Sequence, residues 1–523
     1  MTDNWPRLRA AARLAALTGI VGTIAFLLHA GQRTPRFLLL IMAVWVLSPY
    51  AILAVLDRYA ARASATRAAL YGVTMFVAAT SLVVYGADAV RPLAARSAVP
   101  YVLVPPVSWA FIAIVLTAAA LRSSGRILKT LALLIVAGIV VLVVSISIER
   151  RTEFTLPAPT GESAVGRVIA DWVDDRAVDA LAPVPGTKRE VLVWIWYPAP
   201  PTGPKTTSDY VPAEVRAPSD LPGGFAIMRW LTRDLSKVHS HGSKDAAMSP
   251  QPSSYPVLIL RGGASAGVMN YTTLAEDLAS HGYVVVGIDA PYRTGLTVFP
   301  DGRVITQTPE NNPELYVGDK QTARLNEIFA AWVADITFVV DRLERLNASD
   351  PSGRFTGRLD LTRLGVFGHS FGGAQAAQFC HDDARCKAVV DVDGAPFGSV
   401  IQSGLKQPFM FLLSGHGDPK DADSREILAN IQSIYDRLPT DSRLRVEIRG
   451  ANHFLFGDDV ALMKSRVLLG ALRLTGVVGI DGPRQLAVTA YCLRTFFNVH
   501  LRGSGQLPLN LSSPLYPEIH VLN

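Results

Sequence analysis

The pattern of apolar and polar positions changes character once along the chain. From Leu14 to Ile148 apolar residues run almost unbroken, in five stretches of 19 to 25 residues separated by short arginine-bearing segments. The stretches are Leu14–Gln32, Phe37–Leu56, Ala68–Ala87, Ser97–Leu121 and Thr130–Ile148. A helix rises about 1.5 Å per residue, so about 20 such residues cross a hydrocarbon layer of about 30 Å. The pattern predicts an α-helical transmembrane bundle of about five helices over residues 1–150, kinked at Pro49, Pro105 and Pro106. Beyond it, the stretch ERRTEFTLPAPTGESAVG reads as a linker, assigned to 151–165.

From residue 166 the apolar runs become short and alternate with longer amphipathic segments. Runs at Val191–Tyr197, Val257–Leu260, Tyr283–Ile288, Leu364–Phe367, Ala388–Val392, Phe409–Leu413 and Leu444–Ile448 predict strands, with Val165–Asp174 as an early edge strand. Between them Tyr271–Ser280, Thr322–Leu346, Gly372–Phe379 and Ser424–Arg437 predict helices, with two more near 458–474 and 483–502. This alternation defines an α/β class domain, a mostly parallel sheet flanked by helices, over 166–505. Residues 506–523 read as a tail. Proline and glycine crowd 198–224, and 239–254 is polar and irregular, so a long excursion over a cleft is expected there.

Composition sharpens this division. Of 523 residues 49% are hydrophobic and only 18% charged, where about 25% is usual for a soluble protein. The net charge of +6 would suit a polyanion partner, but it is unevenly held. Residues 1–151 carry 15 Lys/Arg against 4 Asp/Glu, a net of +11, which leaves −5 for the remainder. The positive charge belongs to the apolar third and points to a bilayer, with no nucleic-acid partner. Nine basic residues in the N-terminus, second and fourth loops outnumber six on the other side, which places the N-terminus inside and the residues after 151 on the extracytoplasmic side. His29 alone offers an ionisable group within a span, so the bundle reads as an anchor and not a transport path.

The chemistry sits at Leu364–Gly373, LGVFGHSFGG. An apolar strand runs into Gly-His-Ser-Phe-Gly and then into a small-residue helix. A sharp strand-to-helix turn lifts a serine hydroxyl clear of the backbone, and glycines two before and two after leave room for it. Ser370 is the candidate nucleophile. The general base is expected in the loop after the last strand, RGANHF, which nominates His453 over His416. An acid must hold that imidazole in its working tautomer. Asp393 and Asp418 both follow suitable strands, with Asp418 slightly favoured as the commoner placement in such a fold, and Asp391 is expected to be buried along its strand. His369 should face away from substrate, and the His239–His241 pair reads as loop residues. Cys380 and Cys386 suit either a short disulfide or two buried thiols; Cys492 is left unpaired. No phosphate loop or zinc motif is present, so no cofactor or metal is expected.

GHSFGG, VLILRGGASAG, LASHGYVVVGIDAPY and the late ANHF resemble the platelet-activating-factor acetylhydrolase (isoform II) family of α/β-hydrolases over roughly residues 185–505. The resemblance implies an α/β-hydrolase fold, a serine carboxylic-ester hydrolase and an ester substrate, lipid-derived esters included. It implies Asp393 as the acid, and oxyanion amides from Phe371 and Gly263. Arg261 stands where that family usually has histidine. An acyltransferase using the same triad with an alcohol acceptor is the alternative reading.

Overall fold

The computed structural model describes residues 137–138, 140–141, 144–200, 207–217, 233–313, 319–415, 422–458, 479–505 and 509–522. Between a helical stretch at 144–151 and the next α-helix come β1 (Phe154–Thr155), β2 (Ala164–Val178), β3 (Lys188–Ala199), β4 (Ser208–Asp209), β5 (Val238–Ser240), β6 (Gly242–Lys244) and β7 (Tyr255–Arg261). Helix α1 (Thr272–Ser280) leads to β8 (Val284–Asp289), the β9–β10 hairpin (Leu296–Val298, Val304–Thr306) and α2 (Asp319–Ala348). Then follow β11 (Leu359–His369), α3 (Phe371–Asp382), β12 (Cys386–Val392), the single turn α4 (Val400–Ser403) and β13 (Phe409–Leu413). Helix α5 (Ala422–Arg437), β14 (Arg443–Ile448), α6 (Gly482–Arg502) and β15 (Ile519–Val521) complete the order.

Ten strands form one sheet in the order β15-β14-β13-β12-β11-β7-β8-β3-β2-β6. From β14 to β8 all neighbours are parallel. Parallel strands covered on both faces read as unbroken apolar runs, and β7, YPVLILR, is buried at every residue. Leu258, Leu260 and Phe367 pack on one face with α1 and α6, through Leu274, Leu278 and Phe497. Val257, Ile259 and Val366 pack on the other with α2, α3 and α5, through Leu343, Phe379 and Ile431. After β7 the chain adds β8 on one side and later β11 on the other. The loops leaving their C-terminal ends part company there, and such a switch point is where open α/β sheets place their sites.

The seven expected strand runs and the edge strand fall within strands of this sheet, Tyr283 apart, which lies one residue before β8, and the expected helices at 271–280, 322–346, 372–379, 424–437 and 483–502 overlap α1, α2, α3, α5 and α6. Three stretches differ. The expected linker is docked on the domain: Phe154 pairs with Val238, Leu156 is buried, and the Thr160 amide and hydroxyl donate to Asp277 at 2.9 and 2.6 Å. The irregular 239–254 contains most of β5 and all of β6. The tail supplies β15, antiparallel to β14, tied by an Arg484–Glu518 ion pair at 2.7 Å. These strands are too short to carry a periodicity, and their partners lie far away in sequence. The expected spans lie outside the described residues apart from the end of the fifth, where 144–148 are helical. Among the described residues no helix is long and apolar enough to cross a membrane. The expected helix near 458–474 also lies outside them.

Cys380, in the last turn of α3, is bonded to Cys386, the first residue of β12, with their Cα atoms 5.1 Å apart. Cys492 is a buried free thiol. The bridge closes a loop of a few residues, and chain entropy gives such a crosslink roughly 2 kcal/mol. The double variant Cys380→Ala/Cys386→Ala is expected to melt with about that loss of stability in urea. An unchanged midpoint with unchanged slope would show that the bridge contributes nothing.

Candidate active site

The turn from β11 into α3 is steric in origin. Ser370, its apex, has φ 56° and ψ −127°, outside the ordinary regions for a residue with a Cβ. A Cβ on Gly368 would lie 2.2 Å from the Gly372 carbonyl oxygen, and one on Gly372 would lie 2.5 Å from that of Gly262. Only glycine fits at either position. The chain is held in this turn by the Ser370 amide donating to Val392 O at 2.9 Å and the Gly373 amide donating to Ser370 O at 2.9 Å.

The structure brings together the three residues nominated for the triad. Ser370 Oγ is 3.0 Å from His453 Nε2, and His453 Nδ1 is 2.7 Å from Asp393 Oδ2. His453 opens a single 3₁₀ turn, His453–Leu455, beyond β14. Asp393 follows β12 and is buried. Its carboxylate also receives the Ser414 amide at 2.6 Å and the Ser414 hydroxyl at 2.7 Å, so donors converge on both oxygens. Asp418 and His416, the alternatives for acid and base, lie outside the described residues. Gln485, buried in α6, exchanges a reciprocal pair with the Asn452 backbone at 3.1 and 3.0 Å and fixes the loop that carries His453. Sequence reasoning missed Ser414 and Gln485; a polar residue at a buried helix position is the one signal that pointed to the latter.

Both residues nominated for the oxyanion hole flank Ser370. Phe371 is the first residue of α3, whose leading amides have no intrahelical acceptor, and developing negative charge is favoured at such an end. Gly263 lies so close that a Cβ there would be 3.2 Å from Ser370 Cβ. Its amide, however, donates to Tyr271 Oη at 3.1 Å. Arg261 turns away from the cleft: it is buried, donates to Gln375 Oε1 and Ile288 O at 2.8 Å each, and lies 5.8 Å from the Trp332 ring centroid. Burial pushes its pKa down to about 10, still charged at neutral pH. His239 is 2.6 Å from Glu153 and His241 3.1 Å from Leu156 O, within the strap around β5.

Asp391 is buried behind the turn, as expected. One oxygen accepts the Gly394 amide at 2.8 Å, the other has no partner, and burial pushes the pKa up from 3.8 to about 8. A carboxyl whose folded pKa is raised contributes stability below its unfolded pKa and loses it as pH rises through the folded value. The wild type is therefore expected to lose stability relative to Asp391→Asn between pH 4 and pH 8, at up to about 1.4 kcal/mol per pH unit. Above that the gap levels off. Parallel urea titrations at pH 5, 6, 7 and 8 measure it, and a flat difference would contradict the assignment.

A parallel sheet with a strained serine at its switch point, in line with a histidine and a buried aspartate, defines an α/β-hydrolase. The family described as platelet-activating factor acetylhydrolase, isoform II, matches residues 151–501. The chain belongs to that family and is a carboxylic-ester hydrolase. A probable 1-alkyl-2-acetylglycerophosphocholine esterase of Arthroderma benhamiae is 23% identical over 395 residues, 71% of this chain and 95% of that protein. The platelet-activating factor acetylhydrolase of Cavia porcellus is 23% identical over 218 residues, 39% of this chain and 48% of that one. The structure of a ferulic acid esterase from Streptomyces cinnamoneus superposes with a TM-score of 0.57 at 26% identity, covering 71% of this chain and 100% of that one.

Proposed function

We propose that this protein is a membrane-anchored serine hydrolase that cleaves carboxylic esters, lipid-derived ones included, through an acyl-enzyme on Ser370. The observation that carries the reading is the unbroken line from Ser370 Oγ through His453 to Asp393. Ser370 Oγ attacks the ester carbonyl while His453 Nε2 takes its proton, and Asp393 stabilises the imidazolium. The Phe371 amide faces the developing oxyanion. Collapse expels the alcohol, protonated by His453. Water, deprotonated by the same nitrogen, then attacks the acyl carbonyl and returns Ser370 with release of a carboxylic acid. A relative named for an acetylated glycerophosphocholine supports the lipid-ester class.

The anchor rests on the five apolar stretches of the sequence. Val140, Val144 and Ile148 are exposed apolar side chains of the kind a bilayer covers. The Cys380–Cys386 bridge suits the oxidising side of a membrane, in line with the orientation read from the loop charges. The test uses the full-length chain in detergent, given p-nitrophenyl esters of graded acyl length and a fluorophosphonate probe. Ester turnover, with the probe recovered on the peptide containing Ser370, supports the hydrolase and ranks acyl size. Labelling without turnover until an alcohol is added marks an acyltransferase. Neither labelling nor turnover by folded protein overturns the reading. Extraction of the chain from membranes by alkaline carbonate would overturn the anchor.

A further inference from the structure

Two side chains beside the triad take no part in the line from Ser370 to Asp393. Tyr271, on the residue before α1, has its hydroxyl 2.9 Å from His369 Nδ1 and accepts the Gly263 amide at 3.1 Å. His369, the residue before the serine, has its Nε2 2.9 Å from the backbone carbonyl of His453. Its ring is closed in by Tyr271, His453 and Phe456, with centroids 5.8, 4.8 and 5.6 Å away.

The direction of each bond is forced. A backbone carbonyl only accepts, so His369 Nε2 carries the hydrogen. Burial, with the neighbouring His453 second, pushes the His369 pKa down to about 3, so the ring is neutral and Nδ1 offers a lone pair. Tyr271 must then donate its hydroxyl hydrogen to Nδ1. Its oxygen is left to accept, and a backbone amide such as that of Gly263 only donates. The result is a directed chain of three bonds with no mismatch, running from the loop after β7, past the nucleophile turn, to the backbone of the general base. It spans three segments that the sheet positions independently: the ends of β7 and β11 and the loop after β14.

We propose that Tyr271 and His369 are positioning residues, which through this proton-ordered chain lock the Gly263 loop and the His453 backbone on either side of Ser370. The proposal rests on the hydrolase reading above for its kinetic consequence and on the hydrogen bonds alone for its structural one. It accounts for the histidine within the Gly-x-Ser-x-Gly turn, which contributes nothing to proton transfer. It also explains why Gly263 keeps its place while its hydrogen is engaged: the loop is held by its own amide.

The test compares the full-length wild type with Tyr271→Phe, His369→Asn, His369→Gln and His369→Ala. Tyr271→Phe keeps the ring and removes only the hydroxyl. It is expected to lower kcat for p-nitrophenyl acetate roughly 10- to 100-fold with KM little changed, because misplacing reacting groups by a fraction of an ångström costs about that much. Hydrogen–deuterium exchange should rise in the peptide covering residues 262–266 and stay unchanged elsewhere. Asparagine retains an acceptor near Nδ1 and glutamine a donor near Nε2, so each is expected to keep more activity than His369→Ala. Unchanged kcat with unchanged exchange in Tyr271→Phe would overturn the proposal. So would a fall in kcat that accompanies faster exchange throughout the domain, since that marks a structural role only. If the wild type neither hydrolyses esters nor takes the fluorophosphonate, the hydrolase reading fails, and the exchange comparison still decides the hydrogen-bond chain.

Discussion

Ser370→Ala in the full-length chain is expected to lower kcat for ester hydrolysis by about 10⁶-fold, the scale at which removing a nucleophile disables a whole triad. At about 1.4 kcal/mol per tenfold this is roughly 8 kcal/mol of transition-state stabilisation. The loss follows from the geometry: without Oγ, His453 Nε2 has no acceptor-donor partner to deprotonate, and the Phe371 amide faces a carbonyl that nothing attacks. The fold should tolerate the change, because alanine keeps the Cβ that the turn already accommodates. Glycine at the same position separates chemistry from strain. Ser370 sits at φ 56°, a conformation that costs a residue with a side chain on the order of 1–3 kcal/mol. Ser370→Gly is therefore expected to be as inactive as the alanine variant yet more stable than wild type in urea. A glycine variant of lower stability would mean that the turn is not held under strain, and residual turnover of more than a hundredth of the wild-type rate in Ser370→Ala would remove the serine from the mechanism.

What was legible in the sequence was what local sterics and strand succession dictate. The turn around Ser370 announces itself because its glycines are required within five residues, and His453 because it follows the last long apolar run. Asp391 was readable as buried from its place inside AVVDV. The choice between Asp393 and Asp418 was not, since each follows an apolar run read as a strand whose end could reach His453; the resemblance to a family supplied it. Ser414 contacts Asp393 across 21 positions, Gln485 contacts Asn452 across 33, and Tyr271 contacts His369 across 98. No periodicity records such pairings, because each depends on the three-dimensional order of strands and not on neighbours along the chain. The same reason hid the docked strap at 154–161 and the final strand at 519–521. A residue of β1 finds its partner about 84 positions away, and two- or three-residue strands carry no alternation to betray them.

The acid is where a substitution decides most between the two readings of the sequence. Asp393→Asn is expected to lower kcat about 10⁴-fold, the cost of presenting the base in the wrong tautomer, while Asp418→Asn leaves it within a few-fold. Asp393 Oδ2 lies 2.7 Å from His453 Nδ1, and Ser414 donates to both carboxylate oxygens. An amide in this place must turn its NH₂ toward at least one of those donors. Toward Ser414 it opposes a backbone amide that cannot reverse. Toward His453 it donates to Nδ1, which forces the ring hydrogen onto Nε2, and Nε2–H then points at Ser370 Oγ with no lone pair to take its proton. The first orientation sets two donors against each other, so the second prevails, and it disables the base without moving it. The asparagine variant should accordingly keep its melting temperature within a few degrees and bind substrate with little change in KM, so that the loss falls on kcat and on the rate of fluorophosphonate labelling together. Activity retained in Asp393→Asn and lost in Asp418→Asn would transfer the role to the later strand end, and would require His453 to leave the 2.7 Å contact it makes here during turnover.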